Sequence, residues 1–360
     1  MKLHHHACLL IAGVGLLTGI APAFSQPVSP LIVVSWNMEW LAEQAAMKKG
    51  DFWAKCKAKA FANELAASGL PPCSAVAAYG RTAAAYETKK LAPLRAHLAR
   101  LADEGMDVLA VQEVGSPAAL EAVLPQNWRV ACFTKTSQAQ NIGYAVRANA
   151  AFQWQCRQID ELSLPASTGA LGKYRPGLEF AAQVGGQSGL KLTLLNIHLK
   201  ASCSTRDMSS QDHKNALDCA TLQRQVPVLE QWMEHQAQSG AAFMIVGDWN
   251  RDLSREIAHG RPARTDGSDP STSPVVRRIR YLWQEINDYT PAGSSMGLAQ
   301  VDRQPALAAG CHANLDQAAA SQGLIDTLHS SSLVGKRLGA TLLSAPRVSD
   351  HCPMRIELRW

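Results

Sequence analysis

The stretch Leu-Ile-Val-Val-Ser-Trp-Asn-Met-Glu, Leu31–Glu39, passes from an apolar run, Leu31–Trp36, straight into Asn37 and Glu39. A short, nearly continuous apolar run predicts a strand buried on both faces. Its polar ending is the informative part, because a core strand has no need of one. Further runs of strand length occur at Val108–Gln112, Ile142–Val146, Leu178–Val184, Leu192–Ile197, Phe243–Val246 and Met354–Leu358. Glu113, His198, Asp248, Asn250, Asp350 and His351 stand at or beside the ends of such runs. One polar strand end is ordinarily a solvated terminus; their repetition along the chain predicts side chains gathered on one edge of a sheet, where α/β proteins assemble their sites.

Between the runs lie two helical stripes. Leu91, Leu94, Leu98 and Leu101 recur at helical spacing and are closed by Gly105; Leu222, Val226, Leu229 and Trp232 form the second. Pro227 interrupts the second stripe and predicts a kink or a late start. Some runs are wholly apolar and others alternate, which suits sheets covered by helices on one face and by another sheet on the other. The segment from Ala42 to Thr88 breaks the strand and helix rhythm and reads as an insertion holding one disulfide.

Residues Met1–Ser25 have the layout of a secretory leader: Lys2, an apolar run from Ala7 to Ile20, then Ala23-Phe24-Ser25. The run is too short for a spanning helix. Residues 26–360 form the expected mature domain. Of nine cysteines, Cys8 leaves with the leader, and an even set remains: Cys56, Cys73, Cys132, Cys156, Cys203, Cys219, Cys311 and Cys352. In an oxidising compartment these are expected as disulfides. Spacing does not fix connectivity, but pairing of chain neighbours predicts Cys56–Cys73, Cys132–Cys156, Cys203–Cys219 and Cys311–Cys352. The absence of any CxxC spacing argues against a zinc cluster. The net charge of +5 tolerates a polyanionic partner and decides nothing alone. The Gly260–Pro274 stretch reads as a surface loop.

Carboxylates and a carboxamide oxygen are hard ligands suited to Mg²⁺, Mn²⁺ or Ca²⁺, and histidines beside them can donate to phosphate or move protons near neutral pH. Six short motifs then occur in a telling order: Ser-Trp-Asn-Met-Glu (Ser35–Glu39), Val-Gln-Glu (Val111–Glu113), Asn-Ile-His-Leu-Lys (Asn196–Lys200), Gly-Asp-Trp-Asn (Gly247–Asn250), Leu-Asp-Gln with a later serine (Leu315–Ser321), and Ser-Asp-His-Cys-Pro (Ser349–Pro353). From about Leu31 onward the chain resembles the endonuclease/exonuclease/phosphatase superfamily, which includes pancreatic-type deoxyribonuclease and abasic-site endonucleases.

That resemblance implies a four-layered α/β sandwich, with two mixed β-sheets packed face to face and flanked by helices. It implies that Asn37 and Glu113 hold a divalent metal with help from Asp350, and that Asp248 and Asn250 polarise water and orient phosphate. His351, steered by Asp316, and His198 would flank the scissile phosphate, and Arg175 would contact it. Asp326 competes with Asp316 for the steering role. Tyr174 is expected in packing, Glu39 as a solvated carboxylate at the rim, and Lys200 either near substrate or solvating its strand end. His213, His312 and His329 are expected on the surface. Trp249 stands where the family often has Phe, and the cysteines depart from intracellular repair members.

With the leader and the cysteines, these implications lead to the expectation of a secreted or periplasmic, monomeric phosphodiesterase dependent on Mg²⁺, or on Mn²⁺ or Ca²⁺, and acting as an endonuclease on nucleic acid, DNA or RNA. The rival substrates are a sphingomyelinase-like lipid phosphodiester or an inositol phosphate, for which a membrane-facing loop of clustered aromatics is missing. A module that kept the fold and lost its chemistry should show a broken motif position, and none is broken.

Overall fold

The computed structural model describes residues 30–49, 51–57, 70–136, 138–166, 172–184, 190–205, 207–209, 214–259, 281–287, 294–298, 300–303, 311, 314–330, 339–343 and 348–359. The leader, Cys8, the Gly260–Pro274 stretch, His213, His312 and the side chain of His329 lie outside them.

Thirteen strands among these residues form two mixed sheets. The first has seven, in the order β10 (Gln300–Arg303), β12 (Gly339–Leu342), β13 (Met354–Leu358), β1 (Leu31–Leu41), β2 (Val108–Val114), β4 (Asn141–Arg147) and β3 (Trp128–Phe133). The second has six: β5 (Gln153–Ile159), β6 (Gly177–Val184), β7 (Leu190–His198), β8 (Ala242–Asp248), β11 (Asp316–Ser321) and β9 (Met296–Leu298). In the first, β1 runs parallel to β2 and antiparallel to β13, with Leu31 opposite Leu358. In the second, β7 runs parallel to β8, and β11 is antiparallel to it.

Alternation along the strands explains the layers. Leu31 and Val33 of β1 and Met244 and Val246 of β8 face the core between the sheets. Val34, Trp36 and Met38 turn to the other side, where Leu94, Leu98 and Leu101 of the helix Ala92–Asp103 cover them. Leu195, Ile197, Phe243 and Ile245 face away from the sandwich onto Leu222, Val226, Leu229 and Trp232 of the helix Ala216–Gln238. The result is the four-layered α/β sandwich, and burial on both strand faces accounts for the nearly unbroken apolar runs.

The sheets are also joined through polar groups. The Asn196 amide donates to the carbonyls of Val111 and Gly143, both at 3.0 Å, and its oxygen accepts from Gln112 Nε2 at 2.7 Å. These bonds tie β7 of one sheet to β2 and β4 of the other.

All seven apolar runs are strands. The late start considered at Pro227 does not occur: the helix Ala216–Gln238 passes through it. Burial of Val226, Leu229, Trp232 and Met233 on the sheet offsets the roughly 3 kcal/mol that an interior proline costs. The four disulfides join the expected neighbours, Cys56–Cys73, Cys132–Cys156, Cys203–Cys219 and Cys311–Cys352.

Described residues of the 42–88 segment form short helices, Gln44–Lys49, Phe52–Lys57, Cys73–Ala77 and Ala83–Tyr86. They pack Met47, Phe52, Val76, Tyr79 and Tyr86 against Trp36, Met38 and Leu41 at the end of β1. A π-helical turn, Glu87–Leu91, links them to the helix Ala92–Asp103. Among the described residues, no helix is long and apolar enough to cross a membrane.

Candidate active site

The C-terminal ends of the parallel pairs β1 and β2, and β7 and β8, lie at one edge of the sandwich, and the start of the antiparallel β11 lies there too. Register makes the convergence exact within the second sheet: His198 is opposite Asp248, and Asp248 is opposite Asp316. In the first sheet, β1 and β2 fall out of register between Asn37 and Leu41. The irregular segment holds Glu39, Trp40 and Glu113 at φ of 45°, 56° and 58°, and Asn250 adopts 52° beyond β8. Left-handed backbone at non-glycine residues is strained and concentrates at functional sites. Here it aims polar side chains off the sheet edge. Gly247 allows the same turn from the other side, since a Cβ there would lie 2.2 Å from the Ile197 carbonyl oxygen.

Asp248 is the hub. Its Oδ2 accepts from Asn37 Nδ2 at 3.0 Å and lies 3.4 Å from His198 Nε2 and 3.8 Å from His351 Nε2. Its Oδ1 accepts the Asn250 backbone N–H at 2.8 Å, and the Asn250 amide donates to the Leu199 carbonyl at 3.1 Å. Glu113 Oε1 lies 3.6 Å from His198 Nε2, while its Oε2 accepts the Trp40 N–H at 3.2 Å. Asp316 Oδ2 and His351 Nδ1 share a 2.6 Å hydrogen bond. Arg175 donates to the carbonyls of His198 and Leu199 at 3.0 and 2.7 Å and to Gln140 at 3.2 Å. Asp350 lies at the rim, its side chain 49% exposed and 3.8 Å from His351 Nε2. All nine residues singled out from the sequence are therefore in one connected cluster.

The electrostatics is that of carboxylates crowded out of water. Burial raises Glu113, assisted by Asp248, and burial with the neighbouring Asp316 raises Asp248 to about 6. Asp316 is also raised, first by burial. Burial alone would lower His351, but Asp316, through charge and hydrogen bond, then Asp248 and Asp350, lift it to about 10. His198 goes the opposite way. Two carboxylates within 3.6 Å favour its imidazolium, yet burial, Arg175 and His351 outweigh them and push it well below the usual histidine range. We take it as neutral, because its ring is almost wholly enclosed.

Two oxygen-rich sets could meet a cation. Atoms of Asp248, Asp316 and His351 lie within 4.8 Å of one another, but the facing atoms of Asp316 and His351 are committed to their mutual hydrogen bond. Asn37, Glu113 and Asp350 offer the hard donors that Mg²⁺ or Mn²⁺ takes. Burial and Asp248 raise Glu113, a charge that a divalent cation would relieve, so the donor chemistry of this set suits one.

Other expectations resolve differently. Asp316, not Asp326, reaches His351; Asp326 bonds to Gln322 on the exposed side of its helix. Tyr174 OH meets Thr221 on the long helix, as packing requires. Lys200 pairs with Asp218 at 2.7 Å. Glu39 is a correction: its side chain is only 20% exposed, and its Oε2 is bonded by Tyr79 OH and by the Asp350 N–H rather than left to solvent. Sequence reading missed Lys90, which is wholly buried beneath Glu39, because a lysine in a helical stretch ordinarily reads as solvated.

No family model matches the chain. No curated protein matches it either. Solved structures do. A truncated Caenorhabditis elegans TDP2 is 16% identical with a TM-score of 0.48, covering 92% of this chain and 98% of that one. ANGEL2, described as a 2′,3′-cyclic phosphatase, is 13% identical at 0.47, covering 92% and 95%. An endonuclease/exonuclease/phosphatase family protein from Leptotrichia buccalis is 10% identical at 0.42, covering 92% and 100%.

Proposed function

We propose that this chain is a phosphoric ester hydrolase of the endonuclease/exonuclease/phosphatase type, exported through its leader, and that its substrate is nucleic acid. The observation that carries the reading is Asp248 Oδ2, which faces two histidines, His198 at 3.4 Å and His351 at 3.8 Å. A carboxylate set between two imidazoles, one of them fixed by a second carboxylate, suits proton transfer during hydrolysis.

In this reading Asn37, Glu113 and Asp350 hold Mg²⁺, or Mn²⁺ or Ca²⁺. When bound, such an ion neutralises phosphoryl charge and eases departure of the leaving oxygen. The chain does the rest. Asp248 takes up the proton of the attacking water, so the new phosphorus–oxygen bond forms as the bond to the leaving oxygen breaks, and protonated His351 gives its Nε2 proton to that oxygen. Asp316 fixes His351 through Nδ1 and leaves Nε2 turned toward Asp248. The Asn250 amide and neutral His198 orient phosphate oxygens. Arg175 adds positive charge while bracing the end of β7 through the carbonyls of His198 and Leu199.

Nucleic acid is favoured over lipid because the nearest aromatics are not displayed as a membrane-facing hairpin: Trp36 is fully buried, and Trp53 packs on Phe52 and Tyr86. The leader and four disulfides favour a periplasmic or extracellular location. A monomer suffices, since this chain contributes every group named.

The test is supercoiled plasmid incubated with the oxidised mature protein and Mg²⁺, Mn²⁺ or Ca²⁺, beside EDTA and Asp248→Ala controls. We expect nicking that needs metal, disappears in both controls and weakens steeply with salt. Intact plasmid under every ion, with phosphorylcholine or phosphate released from lipid or inositol esters, would transfer the site to the rival substrates.

A further inference from the structure

Lys90 is a wholly buried titratable group for which the proposed reaction has no use. It belongs to the π-helical turn Glu87–Leu91, and such wide turns often mark functional positions. Its ammonium donates to the carbonyls of Met38 at 2.8 Å and Glu39 at 3.0 Å, and to that of Val348. Those acceptors come from two separate segments. Met38 and Glu39 lie where β1 leaves its register with β2, and β1 pairs with β13 only as far as Ser35, so their carbonyls are free of the sheet ladder. Val348 opens the loop carrying Ser349, Asp350 and His351. The same segments are stitched by Ser349 Oγ to the Asn37 carbonyl at 2.7 Å, Trp36 Nε1 to the His351 carbonyl at 3.0 Å, and the Asp350 N–H to Glu39 Oε2 at 3.1 Å.

Tyr79 completes the arrangement. Its ring lies 4.5 Å from the Lys90 ammonium, and its hydroxyl donates to Glu39 Oε2. A fully desolvated ammonium is expensive to bury, and here all three of its hydrogens have a carbonyl to meet.

Resting on the metal-dependent reading above, we propose that Lys90 and Tyr79 are positioning residues for the metal centre. Lys90 clamps the Asn37–Glu39 arm to the Val348–His351 arm, and Tyr79 fixes the Glu39 carboxylate beside them. The disulfide-stapled segment, through Tyr79 and the turn that follows it, would thus be the outer support of the ligand set. Partners that orient ligands are worth about 10–100-fold in metal affinity.

Mn²⁺ binding to the full oxidised chain, followed by electron paramagnetic resonance, gives a readout independent of turnover. Tyr79→Phe keeps the ring and removes one hydroxyl. We expect it to weaken Mn²⁺ about tenfold, to raise the metal concentration for half-maximal rate by the same factor, and to leave the substrate KM and melting temperature nearly unchanged. Lys90→Met is expected to lower kcat about 100-fold even at saturating metal; should it not fold, Tyr79→Phe alone decides. Wild-type binding with unaltered Mn²⁺ affinity in Tyr79→Phe would overturn this inference and leave the proposed function standing. A wild-type protein that binds no Mn²⁺ would overturn both.

Discussion

His351 and His198 sit 3.8 and 3.4 Å from the same carboxylate oxygen, yet their surroundings drive them to opposite protonation states. Asp316 makes the difference, since it touches His351 and not His198. We therefore expect Asp248→Ala, His198→Ala and His351→Ala each to lower kcat by at least about 10³-fold while far-ultraviolet dichroism stays unchanged; full activity in any one removes that residue from the mechanism. A third histidine tests stability instead. His97 stacks edge-on to Trp36, and burial, aided by Arg100, lowers it from 6.5 to about 4. The unfolded chain takes up this proton below pH 6.5 while the folded chain does not, so stability present above that pH is lost as pH falls toward 4. The drop in urea midpoint between pH 7 and pH 5 should shrink in His97→Phe; an equal drop in both proteins would exonerate His97. The chemistry of Asp248, His198 and His351 was legible because their motifs set polar residues beside apolar runs; His97, inside a helical stripe, gave no such signal. Lys90 and Tyr79 were not legible either, for they act through backbone carbonyls and a packing contact that no local pattern encodes.

At the level of elements, sequence reading recovers strands whose two faces are both covered and fails where burial is one-sided or the side chains are small. β5, Gln153–Ile159, is an edge strand of mostly exposed polar residues, so its alternation carries little hydrophobic signal. β11, Asp316–Ser321, is wholly buried, but its three consecutive alanines favour helix intrinsically. Pairing with β8 and β9 overrides that preference. The turn after β8 depends on Gly247, at φ 126°. Gly247→Ala should cost more than about 2 kcal/mol through strain and misplace Asp248, seen as lower thermal stability together with lower kcat; a stable, active variant would show that the turn can relax. The loop after β7 is stapled to the long helix by Cys203–Cys219, spanning 16 residues. The double change Cys203→Ser, Cys219→Ser should lower unfolding free energy by about 3 kcal/mol, measured by denaturant titration under oxidising conditions.

Across the whole molecule, the site straddles two sheets, so its geometry is only as firm as their docking. Asn196 and Gln112 add to that firmness inside the sandwich, as the Asn37–Asp248 bond does at its catalytic edge. Asn196→Leu removes a donor from the Val111 and Gly143 carbonyls and leaves the Gln112 amide only Ser35 Oγ, at 3.3 Å, and should cost about 2–4 kcal/mol and depress activity despite touching no reacting group; an activity equal to wild type at unchanged stability would show the bridge to be dispensable. One further property follows from the pairing of β1 with β13. Leu31 and Leu358 face each other some 20 Å along the strand from Asn37, at the end remote from the catalytic edge. A graft onto a bead or a fusion partner through either of these positions leaves the crevice turned outward. A few glycines bridging them would close the backbone into a ring that could be cut open elsewhere, giving permuted versions with the catalytic edge intact.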